Sequence, residues 1–206
     1  MSRHHGGCLC GAIRYATAGK PLRVTFCYCR FCQRATGSAY MVEPIFEKAN
    51  FEITSGTPAV YALASHGSGK QVSIHFCATC GTKLFLAFER FPGFFGVYGG
   101  TFDDPDWFER TPQISRHIFL DSAQQGTMIP AGVRTWREHT MRNDGTPVES
   151  MTFERPHAIE KRPAKAASSD RRSRARGLDS RGEHDACSDK TGLCATTGNF
   201  PGASVF

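Results

Sequence analysis

The stretch that decides the fold is Phe26-Cys27-Tyr28-Cys29-Arg30-Phe31-Cys32, in which three cysteines follow the spacing C-x-C-x-x-C. Three thiols this close in sequence can converge on one point without help from the rest of the chain. Thiolate sulfur suits a soft divalent metal, and zinc is the common one. Because tetrahedral zinc takes four ligands, three cysteines leave one position for another residue or for a substrate.

Four further cysteines form two short pairs, one on each side of this stretch. Cys8 and Cys10 are enclosed by glycines, and Cys77-Ala78-Thr79-Cys80 is a C-x-x-C turn followed by Gly81. Glycine lets the backbone fold tightly around a ligand pair, and a C-x-x-C turn grips a metal from one loop. The economical interpretation is two zinc sites, one with four cysteines and one with three. Spacing alone leaves the grouping open, because the C-x-x-C turn could also pair with the end of the first stretch.

Two other interpretations of the clustered cysteines are weaker. Buried free thiols can fill a core as small apolar residues, but packing alone does not require such concentrated spacings. A redox dithiol at Cys29/Cys32 or Cys77/Cys80 is expected in a βαβ context, which the pattern does not show. Cys187 and Cys194 are separated by six residues in a polar segment, and we expect both to be free thiols.

Length and composition indicate one folded domain, with room for a tail. The 206 residues are 40% hydrophobic, and 16 Phe and 21 Gly against 5 Met favour strands and turns over a helical bundle. The first residues lack the apolar segment of a signal peptide, and no apolar run approaches the roughly 18 residues of a membrane span. We therefore expect a cytoplasmic protein with no membrane partner, in a reducing compartment where clustered cysteines more often bind metal than form disulfides.

The formal net charge of +6 is concentrated towards the C-terminus. Residues 155–206 carry +4 and residues 1–154 carry +2, and seven thiolates on two Zn²⁺ would bring the latter segment to −1. This distribution does not favour a nucleic-acid-binding body. The arginine-rich run at residues 171–176 could make weak, salt-sensitive contacts with nucleic acid, but a solvated disordered tail is the favoured interpretation.

Short apolar runs predict about nine strands and one helical turn. Residues 22–27 alternate between two faces and deliver Cys27 at the end of a half-buried strand, and residues 71–77 repeat this design with Cys77. Residues 30–36 lack a strand pattern and are predicted to be helical, ending at Gly37. The other predicted strands are 12–16, 39–43 (stopped by Pro44), 51–54, 60–64, 84–88, 94–98 and 116–120. The pattern predicts a mainly β domain.

The pattern weakens beyond Asp121, although Trp136 and Phe153 could still pack on the body. From about residue 155 the chain is rich in Ala, Ser, Arg, Gly and Asp with little periodicity, which predicts disorder. We therefore divide the chain into a zinc-binding domain at residues 3–135 and a C-terminal extension at residues 136–206, disordered from about 155.

Three segments carry a resemblance to a known family: Gly7-Cys8-Leu9-Cys10-Gly11, Cys27-Tyr28-Cys29-Arg30-Phe31-Cys32-Gln33-Arg34-Ala35-Thr36-Gly37 and Phe76-Cys77-Ala78-Thr79-Cys80-Gly81-Thr82. Over residues 6–121 the chain resembles the glutathione-dependent formaldehyde-activating enzyme family, whose domain is also called CENP-V/GFA. The resemblance implies a zinc-stabilised Mss4-like β fold of several short antiparallel strands. It also implies two zincs per chain: a structural zinc on Cys8, Cys10, Cys77 and Cys80, and a second, open zinc on Cys27, Cys29 and Cys32.

The sequence departs from the family pattern at positions that bear on substrate preference. Leu9 and Tyr28 stand where family members often carry His between the paired cysteines. Residues 124–130 replace the Trp-containing segment that is usual there. Metal binding does not depend on these positions, because they are not the expected ligands.

The resemblance implies a zinc-dependent carbon–sulfur lyase-like enzyme of the S-(hydroxymethyl)glutathione synthase type. Its partners would be a thiol such as glutathione and an aldehyde such as formaldehyde, and no catalytic residue is expected beyond the second zinc site. Tyr28 could border the open position, and Arg30 and Arg34 could meet the carboxylates of glutathione, whereas His75 and His117 are expected to be structural. The alternative is a non-catalytic zinc module that binds or carries a thiol, or that binds protein or nucleic acid.

Overall fold

The computed structural model describes residues 2–65 and 67–160, and these residues form a mainly β structure. Most strands fall where the apolar runs predict them, and the predicted helical turn is the helix α1 (Arg30–Thr36). The strands are β1 (Arg3–Gly7), β2 (Arg14–Ala18), β3 (Arg23–Cys27), β4 (Met41–Glu47), β5 (Phe51–Ser55), β6 (Ala59–Ala64), β7 (Gln71–Phe76), β8 (Lys83–Phe88), β9 (Phe94–Val97), β10 (Ser115–Ile118), β11 (Met128–Ile129), β12 (Arg134–Thr135) and β13 (His157–Ala158).

One large sheet positions the candidate site. It has eight strands in the order β12-β10-β3-β4-β9-β8-β7-β6, and a second sheet contains β1, β2 and β5. Pairing is antiparallel between most neighbours, but β10 runs parallel to both β3 and β12. The sequence between β3 and β10 is long enough for the crossover that parallel neighbours require. This crossover makes β3 an interior strand of the large sheet.

Strand β3 is buried on both faces, although its alternating pattern predicts a half-buried strand. Val24 packs in one core cluster with Tyr15 and Phe46, while Cys27 packs in another with Met41. Thr25, on the same face as Cys27, is also buried. The alternation therefore arises because one face of β3 carries buried polar residues, not because that face is exposed to water.

The prediction that Pro44 stops a strand is wrong. Strand β4 continues through Pro44, which lies opposite Val24 of β3. Proline lacks the backbone donor that an interior strand normally uses. It is tolerated here because β9 pairs with β4 only from Ile45 to Glu47, beyond the proline.

The helix α1 begins and ends where local chemistry dictates. Cys29 is its N-cap and accepts a hydrogen bond from the backbone N–H of Cys32 through its Sγ atom. Gly37 ends it in the left-handed conformation, with φ of 69°, which glycine adopts without steric cost. The cap thus fixes a metal-ligand candidate and the start of the helix together.

Segments beyond Asp121 also pack on the body. Trp136 lies in the cluster that contains Cys27, Phe153 packs against a second cluster that contains Tyr28, and β13 pairs with β11. Ordered structure therefore extends past residue 155, where composition predicts that disorder begins. The predicted disorder of residues 161–206, the arginine run at 171–176 and Cys187 and Cys194 all lie outside the described residues.

Helical segments in the part of the chain that the structure describes are too short or too polar to traverse a bilayer.

Candidate metal centres

Two loops from different sheets bring four cysteines together, and we call these residues the four-cysteine cluster: Cys8, Cys10, Cys77 and Cys80. All four Sγ atoms lie within 4.8 Å of one another. The Sγ atom of Cys10 is 3.5 Å from that of Cys8 and 3.7 Å from that of Cys77. Tetrahedral zinc with sulfur ligands at about 2.3 Å would place neighbouring sulfurs roughly 3.8 Å apart. The cluster therefore fits a tetrahedral thiolate site.

Turns fold the backbone around the four-cysteine cluster, and hydrogen bonds there favour the thiolate form of Cys80. The N–H of Ile13 donates to Cys8 Sγ at 3.2 Å, and Gly81, with φ of 74°, closes the C-x-x-C turn. Thr82 Oγ1 lies 3.1 Å from Cys80 Sγ and accepts from the N–H of Leu9, which joins the two loops. Hydrogen bonds from Thr82 lower the pKa of the Cys80 thiol to about 5. Both loops are thus held in place by groups other than the sulfurs.

The remaining three cysteines of the described part converge as the sequence spacing predicts, and we call them the three-cysteine cluster: Cys27, Cys29 and Cys32. Cys27 ends β3, Cys29 caps α1 and Cys32 lies in the first turn of α1. Their Sγ atoms all lie within 4.8 Å of one another. Among the described residues, no further His, Cys, Asp or Glu joins this group. The chain therefore offers three ligands here and four at the other cluster.

Hydrogen bonding distributes charge unequally within the three-cysteine cluster. Side-chain hydrogen bonds from Cys27 and then Cys32 lower the pKa of Cys29 to about 3. The hydrogen bond to Cys29 in turn raises the pKa of Cys27 well above its usual range. Without a cation, the three cysteines would therefore hold one thiolate, at Cys29, and two thiols. A divalent cation would displace the remaining protons, so its binding is expected to release protons.

A buried carboxyl and a buried phenol lie beside the three-cysteine cluster, and sequence reasoning missed both. Glu43 faces the same side of the sheet as Cys27, and Tyr98 packs in the same apolar cluster as Cys27 and Cys32. Burial raises the pKa of Glu43 to about 8, with Arg23 opposing the rise and Cys29 adding to it. The available signal was a carboxylate in the middle of an apolar strand.

A groove adjoins the four-cysteine cluster at Cys80. It has a volume of about 430 Å³ and lies between the end of α1 and the C-x-x-C loop. Its lining includes Leu9, Ala35, Met41, Cys80 and Tyr98. Leu9 is 89% exposed there. A small molecule in this groove would therefore contact an apolar rim and part of Tyr98, whose Oη atom is buried.

The other residues singled out by sequence have distinct placements. Arg30 and Arg34 are exposed on α1, and the guanidinium of Arg30 donates to Gln33 Oε1. Tyr28 is buried, and its Oη lies 2.9 Å from His117 Nδ1. Burial lowers the pKa of His117 to about 4, so the ring is neutral near pH 7. His75 stacks on Phe85 with centroids 4.1 Å apart.

Comparison with known proteins gives one family. The model of the family described as glutathione-dependent formaldehyde-activating enzyme matches residues 3–122. A protein of Halomonas elongata named "Putative glutathione-dependent formaldehyde-activating enzyme" is 23% identical over 120 residues, which cover 57% of this chain and 74% of that protein. A crystal structure of a Rhodobacter sphaeroides protein is 20% identical with a TM-score of 0.40, covering 48% of this chain and 87% of that chain.

Proposed function

The chain belongs to the glutathione-dependent formaldehyde-activating enzyme family, and from this premise we propose that it is a zinc-dependent carbon–sulfur lyase-like enzyme. The reaction joins a thiol such as glutathione to an aldehyde such as formaldehyde and gives the S-hydroxymethyl adduct, as in S-(hydroxymethyl)glutathione synthase. The reverse reaction cleaves the carbon–sulfur bond. The family match covers the segment that contains both cysteine clusters.

The proposal assigns one zinc to each cluster, so that each chain holds two. The four-cysteine cluster supplies a complete ligand set and would hold a structural zinc. The three-cysteine cluster would hold the second zinc through Cys27, Cys29 and Cys32. Zinc held by three thiolates can take a substrate thiol as its fourth ligand and stabilise it as thiolate near neutral pH.

The observation that carries the proposal is the difference in ligand number between the two clusters. Seven clustered cysteines divide into four and three, and the described residues supply no fourth side-chain ligand to the second group. A closed thiolate site is structural, whereas a site with three protein ligands accepts a substrate. The chain's own contribution is to hold Cys27 rigidly on an interior strand and Cys29 at a helix cap.

Substrate contacts outside the clusters are part of the same proposal. Arg30 and Arg34 lie on the exposed side of α1, where their guanidinium groups can meet the carboxylates of glutathione. Tyr28 is proposed to border the open position, although its hydroxyl is engaged with His117. Residues 3–135 would form the zinc-binding domain, residues 136–160 would complete its packing, and a reducing cytoplasm would keep the thiols free.

An exchange experiment tests the proposed activity. Magnetisation-transfer NMR measures the rate at which formaldehyde and glutathione interconvert with their adduct, with and without zinc-loaded protein. We expect Cys29→Ser to abolish the protein-dependent rate, while Cys194→Ser, outside the two proposed sites, leaves it unchanged. Equal rates for wild type and Cys29→Ser would refute catalysis. Tight thiol binding without accelerated exchange would instead indicate a thiol carrier.

A further inference from the structure

The sheet face that carries Cys27 continues into a polar patch. In the β3–β4 register, Cys27 lies opposite Met41 and Thr25 lies opposite Glu43. The β4–β9 register pairs Ile45 with Gly96 and ends there, and beyond it Gly99 approaches Val42 and Pro44, the two neighbours of Glu43. A step of two residues along a strand is about 7 Å. Glu43 and Tyr98 are therefore neighbours on the same face as the three-cysteine cluster, one step from Cys27.

Both side chains end in a buried polar atom that lacks a partner in the described part of the chain. Glu43 is 6% exposed and Tyr98 is 7% exposed, and neither Glu43 Oε1 nor Tyr98 Oη makes a hydrogen bond. An unsatisfied buried polar atom costs roughly 1–3 kcal/mol. Two such atoms beside each other and beside an incomplete ligand set indicate that a bound molecule supplies their partner.

The backbone makes room for the carboxyl. A Cβ atom at Gly96 would lie 2.6 Å from Glu43 Cδ, so only glycine leaves the space that this carboxyl occupies. Arg23 from β3 attracts Glu43, whereas the Cys29 thiolate at the start of α1 repels it. Burial raises the pKa of Tyr98, and the charges of Cys32, Glu43 and Cys29 raise it further. The pair is therefore electrostatically connected to the cluster as well as adjacent to it.

Tyr98 also connects the pair to the groove. It lines the 430 Å³ groove together with Met41 and the end of α1. The groove therefore leads to a residue whose buried Oη atom requires a hydrogen-bond partner. A one-carbon or other small aldehyde meets this requirement, because its single oxygen needs one donor and a proton source.

We propose that Glu43 and Tyr98 bind the aldehyde oxygen, and that Glu43 carries the proton which the reaction moves from sulfur to oxygen. This inference rests on the proposed lyase function. The substrate thiol loses its proton to Glu43 and becomes thiolate. The sulfur electron pair then forms the carbon–sulfur bond, the C=O π pair moves to oxygen, and Glu43 returns the proton to that oxygen. Tyr98 donates a hydrogen bond to the oxygen throughout.

The proton balance needs no further reactant. One thiol and one aldehyde give one hydroxymethyl thioether, and the proton that leaves sulfur ends on oxygen. Burial places the pKa of Glu43 at about 8, which suits a group that gains and loses a proton near neutral pH. The placement of Glu43 near the three-cysteine cluster follows from strand register, burial and the space at Gly96, and does not depend on its pKa.

The test separates aldehyde handling from thiol binding. Glu43→Gln and Tyr98→Phe are compared with matched controls on exposed positions, Glu47→Gln on the same strand and Tyr61→Phe on β6. Zinc content and glutathione binding by calorimetry are measured on each zinc-loaded variant, followed by exchange rates at varied formaldehyde concentration. Removal of one oxygen-binding donor typically lowers a rate by about 10²-fold.

We expect Glu43→Gln and Tyr98→Phe each to lower the protein-dependent exchange rate at least about tenfold. Zinc content and glutathione affinity should stay at the wild-type values, and the two controls should match wild type throughout. Glu43→Gln should also change the pH dependence of the exchange rate, which a purely structural role would not do.

Three results would overturn the inference. Wild-type exchange in both variants would show that neither group touches the aldehyde. A loss of zinc or of glutathione affinity that matches the loss of exchange rate would show that Glu43 and Tyr98 stabilise the cluster and do not bind the aldehyde. Absence of exchange in wild-type protein would contradict the proposed function and, with it, this inference. Wild-type exchange that survives both substitutions would contradict the inference alone.

Discussion

Replacing Gly96 by alanine should displace the Glu43 carboxyl. The added Cβ would lie 2.6 Å from Glu43 Cδ and 2.8 Å from Cγ, and still closer to Oε1. Ordinary carbon contacts are about 3.5–4.0 Å, so the carboxyl must move by roughly 1 Å in a packed interior. Overpacking of this size costs about 1–3 kcal/mol. At about 2–4 °C per kcal/mol for a chain of this length, the melting temperature should fall by about 2–12 °C.

A double-mutant cycle measured by urea unfolding isolates this contact. Gly96→Ala is made in wild type and in Glu43→Ala, where the obstructing side chain is gone, and the coupling free energy should be at least about 1 kcal/mol. Gly93→Ala is the matched control, because a Cβ there meets nothing within 4 Å. An equal cost of Gly96→Ala in both backgrounds would refute the placement of the Glu43 side chain.

Four other outcomes are expected. Cys8→Ser should lose structural zinc and unfold the chain, whereas Cys29→Ser should lower zinc content from two to one per chain and keep the fold by circular dichroism. Because burial raises the pKa of Glu43 to about 8 in the folded protein, the protein takes up protons on folding between about pH 4.5 and 8. The free energy of unfolding, relative to that of Glu43→Gln, should therefore fall as pH rises through this window. Urea titrations should show a fall of at most about 1.4 kcal/mol per pH unit. Tyr28→Phe removes the hydrogen bond to His117 and should cost about 1 kcal/mol; a change in KM for glutathione would show that Tyr28 also contacts substrate. Deletion of residues 161–206 should leave exchange rates unchanged, and salt-dependent DNA binding that this deletion abolishes would support the nucleic-acid alternative.

Local chemistry made much of the structure predictable from sequence. The helix α1 depends on a cap at Cys29 and a left-handed glycine at Gly37, both of which lie within the segment itself. The three-cysteine cluster is equally local. The apolar alternation of β3 and β7 identified one strand that ends at Cys27 and one that ends directly before Cys77.

Features that depend on partners distant in sequence were not predictable in this way. Strand β1 has the sequence Arg3-His4-His5-Gly6-Gly7, without apolar alternation, and is a strand because it pairs with β2. Pro44 fits inside β4 only because β9 starts its pairing one residue later. Both features depend on the register between strands, which the residue pattern within a single segment does not reveal.

The same reason explains why part of the candidate site was missed. Glu43 and Tyr98 are 55 positions apart in sequence. The pairing of β3 with β4 places Glu43 on the face of Cys27, and Tyr98, which follows β9 directly, packs in the cluster that contains Cys27. The burial of Tyr28 against His117 also depends on the parallel pairing of β3 with β10. Sequence identified the metal-ligand candidates, whereas topology identified the residues that surround them.

The central claim is that the two clusters differ in kind, one closed by four thiolates and one open to a thiol. Zinc X-ray absorption spectroscopy of the fully loaded protein tests this directly. The account predicts an average of about 3.5 sulfur ligands per zinc, completed by a lighter atom, that rises to about 4 when glutathione is added. Two zincs per chain with a sulfur count that does not change on adding glutathione would contradict it.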